Sequence, residues 1–384
     1  MRILIALTYY RPHYSGLTIY SERLARTLVK LGHDVTVLTS RFSPVLKREE
    51  MCNGVRVIRS TVRLRLSKGV IMPGMPLRAL PLIAQADVVN PHVPQMDASY
   101  LSWMARLAGK PVVTTYQCDL RLPEGAIHRL ANFGSHLFNH FTAAASNVIV
   151  STSQDYAEHS AFLSRYLGKV QPVIPPIELP DISVEHLEVF RKKHAIEPGQ
   201  KIIGINARLA TEKGVEYLVG AMPRVLEKYP NARVLYVGQY ENVLGEELYA
   251  RRLRPLINSL EGHWNFLGVV SPEDQVAFFR SCDVTVLPSI NSTEAYGMVQ
   301  VESMFCGTPV VATDLPGVRH AIGFTGMGRI VPPQNADALA DGILEVLDHP
   351  EQYHGNVAAV RQAYSCEAVA SQYVQIFEEL IKKR

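Results

Sequence analysis

The sequence predicts an α/β protein built from two doubly wound, Rossmann-like domains. Three observations carry this expectation. Strand-like and helix-like segments alternate along most of the 384 residues. The alternation stops once, at a proline cluster spanning 173–180, and then restarts. The chain is also too long for one ordinary core and suits two of similar size. Alternation of this kind argues for parallel sheets with helices on both faces. Ligands of open α/β sheets bind outside the carboxyl ends of the strands. Two such domains imply a cleft with one ligand facing both.

Ile3-Leu4-Ile5-Ala6-Leu7 reads as a buried strand. A loop rich in Tyr, Pro, His and Gly follows over 9–16. Leu24, Leu28 and Leu31 then recur at helical spacing as far as Gly32, a C-terminal stop. Further strands are expected at 35–38, 55–58, 88–89, 112–114 and 148–150. After the prolines, strands are expected at 202–205, 234–237, 264–267, 284–287 and 310–312. Residues 215–228 read as a helix, and the chain ends in another over 366–382. The expected domains are 1–175 and 181–365, followed by a C-terminal helical segment, 366–384.

A hydrophobic content of 47% with 20% charged residues is that of a globular enzyme. No apolar run is long enough to span a bilayer. The N-terminus has no signal-peptide pattern and enters strand-like sequence at once. Cys52, Cys118, Cys282, Cys306 and Cys366 are scattered, which suits a reducing cytoplasm rather than a zinc site or a disulfide framework. The net charge of +3 conceals an asymmetry. Residues 1–180 hold 20 Lys+Arg and 11 Asp+Glu, a net +9, and residues 181–384 hold 19 and 25, a net −6. A basic first half suits an anionic partner such as a membrane surface or a phosphorylated acceptor. A solvated surface without a partner accounts for it equally well. No nucleic-acid partner is expected.

Four segments carry candidate chemistry. Arg208 and Lys213 lie in Asn206-Ala207-Arg208-Leu209-Ala210-Thr211-Glu212-Lys213-Gly214, past one strand and before a helix. There a planar guanidinium and a mobile ammonium are placed to bind phosphate. Glu294 and Glu302 stand eight residues apart in Thr293-Glu294-Ala295-Tyr296-Gly297-Met298-Val299-Gln300-Val301-Glu302. Gly297-Met298-Val299 would open a helix whose first N–H groups can hold an anion. Glu294 precedes that helix and Glu302 lies inside it, so the two read as grips on different hydroxyls of one elongated ligand, not as an acid–base dyad. Gly307-Thr308-Pro309 follows as a turn into a strand. Gly16, in Pro12-His13-Tyr14-Ser15-Gly16-Leu17-Thr18, would let backbone approach a phosphate or sugar. No Gly-x-Gly-x-x-Gly is present, which disfavours a nicotinamide dinucleotide. Last, Thr114-Thr115-Tyr116-Gln117-Cys118-Asp119 would point polar groups into the cleft; a plain turn is the alternative.

Together these residues resemble the retaining GT-B glycosyltransferases of family 4, over nearly the whole chain. The likeness lies in Glu294 and Glu302 with Gly297 and Gly307-Thr308-Pro309, in Arg208 with Lys213-Gly214, and in Pro12 through Gly32-His33-Asp34-Val35. It implies two Rossmann-like domains facing across a cleft, with the C-terminal helix crossing back to the first. It also implies transfer of a sugar from a nucleotide-diphosphate donor to an acceptor, with retention and without a metal or cofactor. Arg208 and Lys213 would neutralise the departing diphosphate, helped by backbone N–H groups at Gly297, Met298, Val299 and Gly16. Glu294 would hold donor-sugar hydroxyls, Glu302 the ribose, and Gln117 would lie near the sugar. On family grounds a uracil donor is expected before a guanine one. The acceptor would be a sugar, a polyol or a lipid-linked group.

The sequence departs from the family pattern at Gly16-Leu17 (usually Gly-Gly), Gln117 (often His), Pro175-Pro176-Ile177 (often Pro-Asn-Gly) and His320 (often Glu). Glutamine donates and accepts hydrogen bonds but holds no proton. That departure motivates an alternative, a sugar-nucleotide-binding protein without efficient catalysis. An epimerase or phosphorylase of the same architecture is a further one. Residues 62–73 mix cations with apolar residues in the acceptor domain. They read as a half-buried strand with outward cations, ahead of a membrane contact at the inner face.

Overall fold

The computed structural model describes residues 1–66, 69–119 and 126–383. Two compact units divide the chain, Met1–Pro176 with Tyr364–Arg384, and Ile177–Ala363. The first begins with β1 (Arg2–Ala6), α1 (Gly16–Lys30), β2 (Asp34–Arg41), β3 (Glu49–Cys52) and β4 (Val55–Thr61). A hairpin of β5 (Leu64–Leu66) and β6 (Gly69–Ile71) follows, then α2 (Met75–Gln85), β7 (Val88–Val93), α3 (Ala98–Leu107) and β8 (Val113–Tyr116). Next come α4 (Ala126–Ala145), β9 (Val148–Ser151), α5 (Gln154–His159) and β10 (Val170–Pro172).

Eight of these strands form one sheet in the order β10-β9-β8-β7-β1-β2-β4-β3. Pairing is parallel throughout, except that β3 lies antiparallel on β4. Ile3, Leu4 and Ile5 are buried because β1 is central and covered on both faces. Ser15 caps α1 by accepting from the Thr18 N–H at 3.3 Å. Leu24 and Leu28 fill the core, but Leu31 is the helix C-cap and 42% exposed, so the apolar stripe ends one turn earlier than its spacing suggests. Gly32 follows at φ +85°, the left-handed stop that glycine adopts freely. The 173–180 segment is packed where it leaves this unit: Val173, Pro175 and Pro176 are buried, and Arg23 Nη1 donates to the Pro176 carbonyl at 3.1 Å. Of the basic 62–73 segment, β5 and β6 form the strands; Ser67 and Lys68 lie outside the described residues.

The second unit begins with α6 (Val184–Lys193), β11 (Ile202–Asn206), α7 (Val215–Lys228), β12 (Arg233–Val237), α8 (Glu247–Asn258) and β13 (Trp264–Gly268). It continues with α9 (Pro272–Ser281), β14 (Val284–Leu287), α10 (Met298–Phe305), β15 (Val310–Thr313) and α11 (Val318–Thr325). β16 (Gly328–Val331), α12 (Ala336–Asp348) and α13 (Val357–Ala363) close it. Its all-parallel sheet runs β13-β12-β11-β14-β15-β16. Ile203, Ile205, Val234 and Val284 join Leu218, Met222 and Val225 of α7 in its main core.

The last helix, α14 (Cys366–Lys382), belongs to the first unit. Its Tyr373 is wholly buried, with the hydroxyl 2.8 Å from that of Tyr20 on α1 and 3.0 Å from Thr115 Oγ1 on β8. Among the described residues no helix is long and apolar enough to cross a membrane.

Candidate active site

In the second sheet the chain runs from β11 outward through β12 to β13, then returns to β14 and proceeds the other way. The direction of winding reverses between β11 and β14, and a crevice opens at such a point at the carboxyl ends of the strands. The loops that leave these two strands carry Arg208, Lys213 and Glu294.

The loop after β11 is fixed from below. The Ala207 and Leu209 N–H groups donate to the Val237 and Gln239 carbonyls at 2.9 and 2.8 Å, and Leu209 and Ala210 are buried. Thr211 is held through its N–H and hydroxyl by Glu246 Oε2, at 3.0 and 2.7 Å. Gly214 ends the loop at φ +60°, and a Cβ there would lie 2.2 Å from the Pro288 carbonyl oxygen. Only glycine allows that approach of the two loops. The Ile290 N–H completes the junction by donating to the Glu212 carbonyl at 3.1 Å.

Lys213 Nζ donates to Glu294 Oε2 at 2.5 Å, and Ser289 Oγ donates to the same oxygen at 3.2 Å. The lysine and glutamate side chains are 21% and 15% exposed, so the pair is accessible but shielded. Arg208 is more open, at 47% exposure, and Nη2 donates to Glu212 Oε1 at 2.9 Å. Gly297 precedes α10 at φ +74°, where a Cβ would meet Leu287 Cδ2 at 2.3 Å. Met298 and Val299 start the helix and are half-buried. Glu302 has a partner different from those of Glu294. It is 5% exposed and accepts from Gln275 Nε2 of α9 at 2.9 Å, so it is no solvated helix charge. The two loops thus bring together two cations, each paired with a carboxylate, and a helix start whose first N–H groups are free of helical partners. That set suits an anion beside a hydroxyl-bearing group.

In the first unit Gly16 opens α1 behind the Ser15 cap, exposed and outside the left-handed region. Gln117 follows β8, and its neighbourhood corrects the expectation for 114–119. Thr114 bonds Ser146 at 2.6 Å and Thr115 bonds Tyr373, while Tyr116 and Ser160 hydroxyls both donate to Asp119 Oδ1 at 2.7 Å. These groups are tied to their own unit as structural links rather than presented to a ligand.

Gln117 is 9% exposed, and its Nε2 lies 3.2 Å from His92 Nδ1. The Asn90 amide nitrogen faces the Val113 carbonyl, which can only accept, so Asn90 Oδ1 must accept from His92 Nε2 at 3.0 Å. That leaves Nδ1 unprotonated, with Ser21 Oγ at 2.8 Å and Gln117 Nε2 at 3.2 Å as its neighbours. Burial pushes the His92 pKa down to about 3, so Gln117 meets a neutral ring. The sequence reading missed His92. The one available signal is a histidine directly after Pro91, three residues past Val89, where the strand pattern ends.

Two family models match the chain: Glycosyl transferases group 1 over residues 188–362, and Glycosyltransferase Family 4 over 14–167. The chain belongs to the group 1 glycosyltransferases. An uncharacterized glycosyltransferase of Methanocaldococcus jannaschii is 27% identical to this group 1 enzyme, with 98% of each chain covered. The phosphatidyl-myo-inositol mannosyltransferase of Mycolicibacterium smegmatis is 25% identical, over 98% of this chain and 94% of its own. Among solved structures, Anabaena Alr3699/HepE in complex with UDP superposes with a TM-score of 0.77 at 18% identity, covering 99% of this chain and 100% of that one. GT-B glycosyltransferases are therefore its structural neighbours. Residues 208–302, which hold the Lys213–Glu294 crevice, fall wholly within the group 1 match.

Proposed function

We propose that this glycosyltransferase moves a sugar from a nucleotide-diphosphate donor to an acceptor hydroxyl, with retention at the anomeric carbon and no divalent metal. The observation that carries the reading is the Lys213–Glu294 pair at the winding reversal of the second sheet. As the glycosidic bond breaks, negative charge grows on the departing diphosphate. A lysine and an arginine there stabilise the transition state more than the ground state. Donor entry moves Lys213 from Glu294 to phosphate, which frees the carboxylate for sugar hydroxyls. The N–H groups at Gly297, Met298 and Val299 add donors to the diphosphate, and Glu302 accepts from the ribose. Gly16 and Gln117 of the first unit serve the donor as backbone and side-chain hydrogen-bonding groups.

Uracil is the first choice of base and guanine the second. The mannosyltransferase relative is named for phosphatidyl-myo-inositol. With the basic first half, this supports a phosphate-bearing polyol or lipid acceptor, in glycolipid, polysaccharide or glycoconjugate synthesis at the cytoplasmic face of a membrane. A thermal-shift screen of nucleotide sugars tests the donor assignment, since a ligand of the folded form raises its melting temperature. The reading expects a shift with one diphosphate-sugar class and none with free sugars. No shift with any nucleotide sugar contradicts it.

The Gln117–His92 contact favours one second reading, a donor-binding protein without efficient catalysis, because neither group exchanges a proton with water near neutral pH. Mass spectrometry separates the two. Donor bound but neither transferred nor hydrolysed, with Gln117→His restoring turnover, supports the second reading.

A further inference from the structure

The first sheet has a concave feature at its carboxyl edge that the donor reading does not use. β2 ends at Arg41 and β4 at Thr61, and these two residues are register partners. Just past them a pocket of about 290 Å³ is lined by Arg41, Phe42, Thr61, Arg63 and Arg65. Three arginines therefore line one small space.

Their hydrogen bonds do not neutralise them. Arg41 Nε donates to the Leu46 carbonyl at 2.6 Å and its Nη2 to the Pro44 carbonyl, while Arg65 Nη2 donates to the Phe42 carbonyl. These contacts wrap 42–46 around the cations but supply no counter-charge. Among the described residues none of the three arginines forms an ion pair, and the Arg63 side chain makes no hydrogen bond. The acidic residues of the neighbouring strand are already taken: Glu49 by Arg56 at 2.7 Å and Glu50 by Arg59 at 2.6 Å. Arg63 and Arg65 are exposed and Arg41 half-buried, so the pocket opens to solvent. Beside it, Phe42 packs T-shaped against Tyr9 and His13, which stack 4.6 Å apart. Three cations that repel one another and lack a carboxylate are complementary to a multivalent anion with several acceptor oxygens.

We propose that this pocket binds the phosphate group of a phosphorylated acceptor. That group is either a phosphomonoester on a soluble polyol or the phosphodiester of a lipid headgroup. The proposal rests on the reading that the first unit receives the acceptor, but its test reads binding rather than turnover.

The test uses the full chain carrying Arg208→Ala and Lys213→Ala, which removes the cations assigned to the donor diphosphate. Calorimetry at low salt measures sn-glycerol 3-phosphate against glycerol. Co-sedimentation compares phosphatidylcholine vesicles with and without phosphatidylinositol. Binding of glycerol 3-phosphate but not glycerol, weakened about tenfold or more by Arg63→Gln and less by Arg63→Lys, supports a soluble phosphate. Retention by phosphatidylinositol vesicles alone, lost in Arg63→Gln, supports the lipid source. Binding of neither probe, or equal binding by Arg63→Gln, overturns the proposal. Sugar transfer by the parent chain with no phosphate binding by this variant removes this site and leaves the donor reading; phosphate binding by the variant with no transfer by the parent does the reverse.

Discussion

Lys213 Nζ lies 2.5 Å from Glu294 Oε2, joining the loops that leave β11 and β14 across 81 residues of chain. Both groups are partly exposed, so the pair contributes little to stability. In the proposed function its value lies in holding a cation where a leaving group would gain charge. Lys213→Ala is expected to lower kcat/KM for transfer by about 10²–10³-fold, with Arg208→Ala and Glu294→Ala close behind. The melting temperature should change little. Steady-state kinetics beside circular dichroism check this, and undiminished turnover in all three variants contradicts it.

The two loops depend on Gly214. A Cβ there would stand 2.2 Å from the Pro288 carbonyl oxygen, whereas at Gly32, also left-handed, a Cβ meets nothing within 4 Å. Gly32→Ala should therefore cost only the conformational strain, about 1–2 kcal/mol. Gly214→Ala must also displace backbone at 288, so it should cost clearly more and reduce transfer as well. Urea unfolding of both variants gives the comparison; equal losses would mean that the close approach is relieved without consequence.

Tyr373 ties α14 to both α1 and β8 through one buried hydroxyl. Tyr373→Phe leaves Tyr20 and Thr115 without that partner inside the core. A loss of about 1–3 kcal/mol is expected in urea unfolding. A variant as stable as the parent would show that these hydroxyls find other partners.

His92 predicts a pH dependence of stability. Its folded pKa is depressed to about 3 from an ordinary 6.5, because burial disfavours the imidazolium. Between these values the unfolded chain takes up a proton that the folded chain refuses. Stability is therefore retained above pH 6.5 and lost as the pH falls toward 3, by up to about 1.4 kcal/mol per pH unit. His92→Gln should flatten this window in urea unfolding at pH 7 and pH 5. An unchanged pH slope would refute the assignment.

Periodicity marked some elements to the residue. Helix 215–228, strand 284–287 and helix 366–382 coincide with α7, β14 and α14. It fails at β7, where the strand pattern stops at Val89. The strand runs on through Pro91 to Val93, pairing with β1 as far as Pro91 and with β8 from His92. A proline argues against a central strand, so the segment holding Asn90 and His92 was not seen as sheet. Lys213 and Glu294 each stood out by residue type and position. Their pairing did not, because it arises only when parallel strands distant in sequence become neighbours. Glu302 shows the same limit: its partner Gln275 lies on a different helix, and nothing in the local sequence tells a buried glutamate from a solvated one.

The most direct measurement is release of nucleoside diphosphate from a panel of nucleotide sugars, followed by mass spectrometry for the chain and its Lys213→Ala variant. The account predicts that one sugar nucleotide is consumed, slowly by water and faster with acceptor, and that the variant loses about 10²-fold or more of that rate. A panel left intact by the parent chain, or consumed equally by the variant, would contradict it.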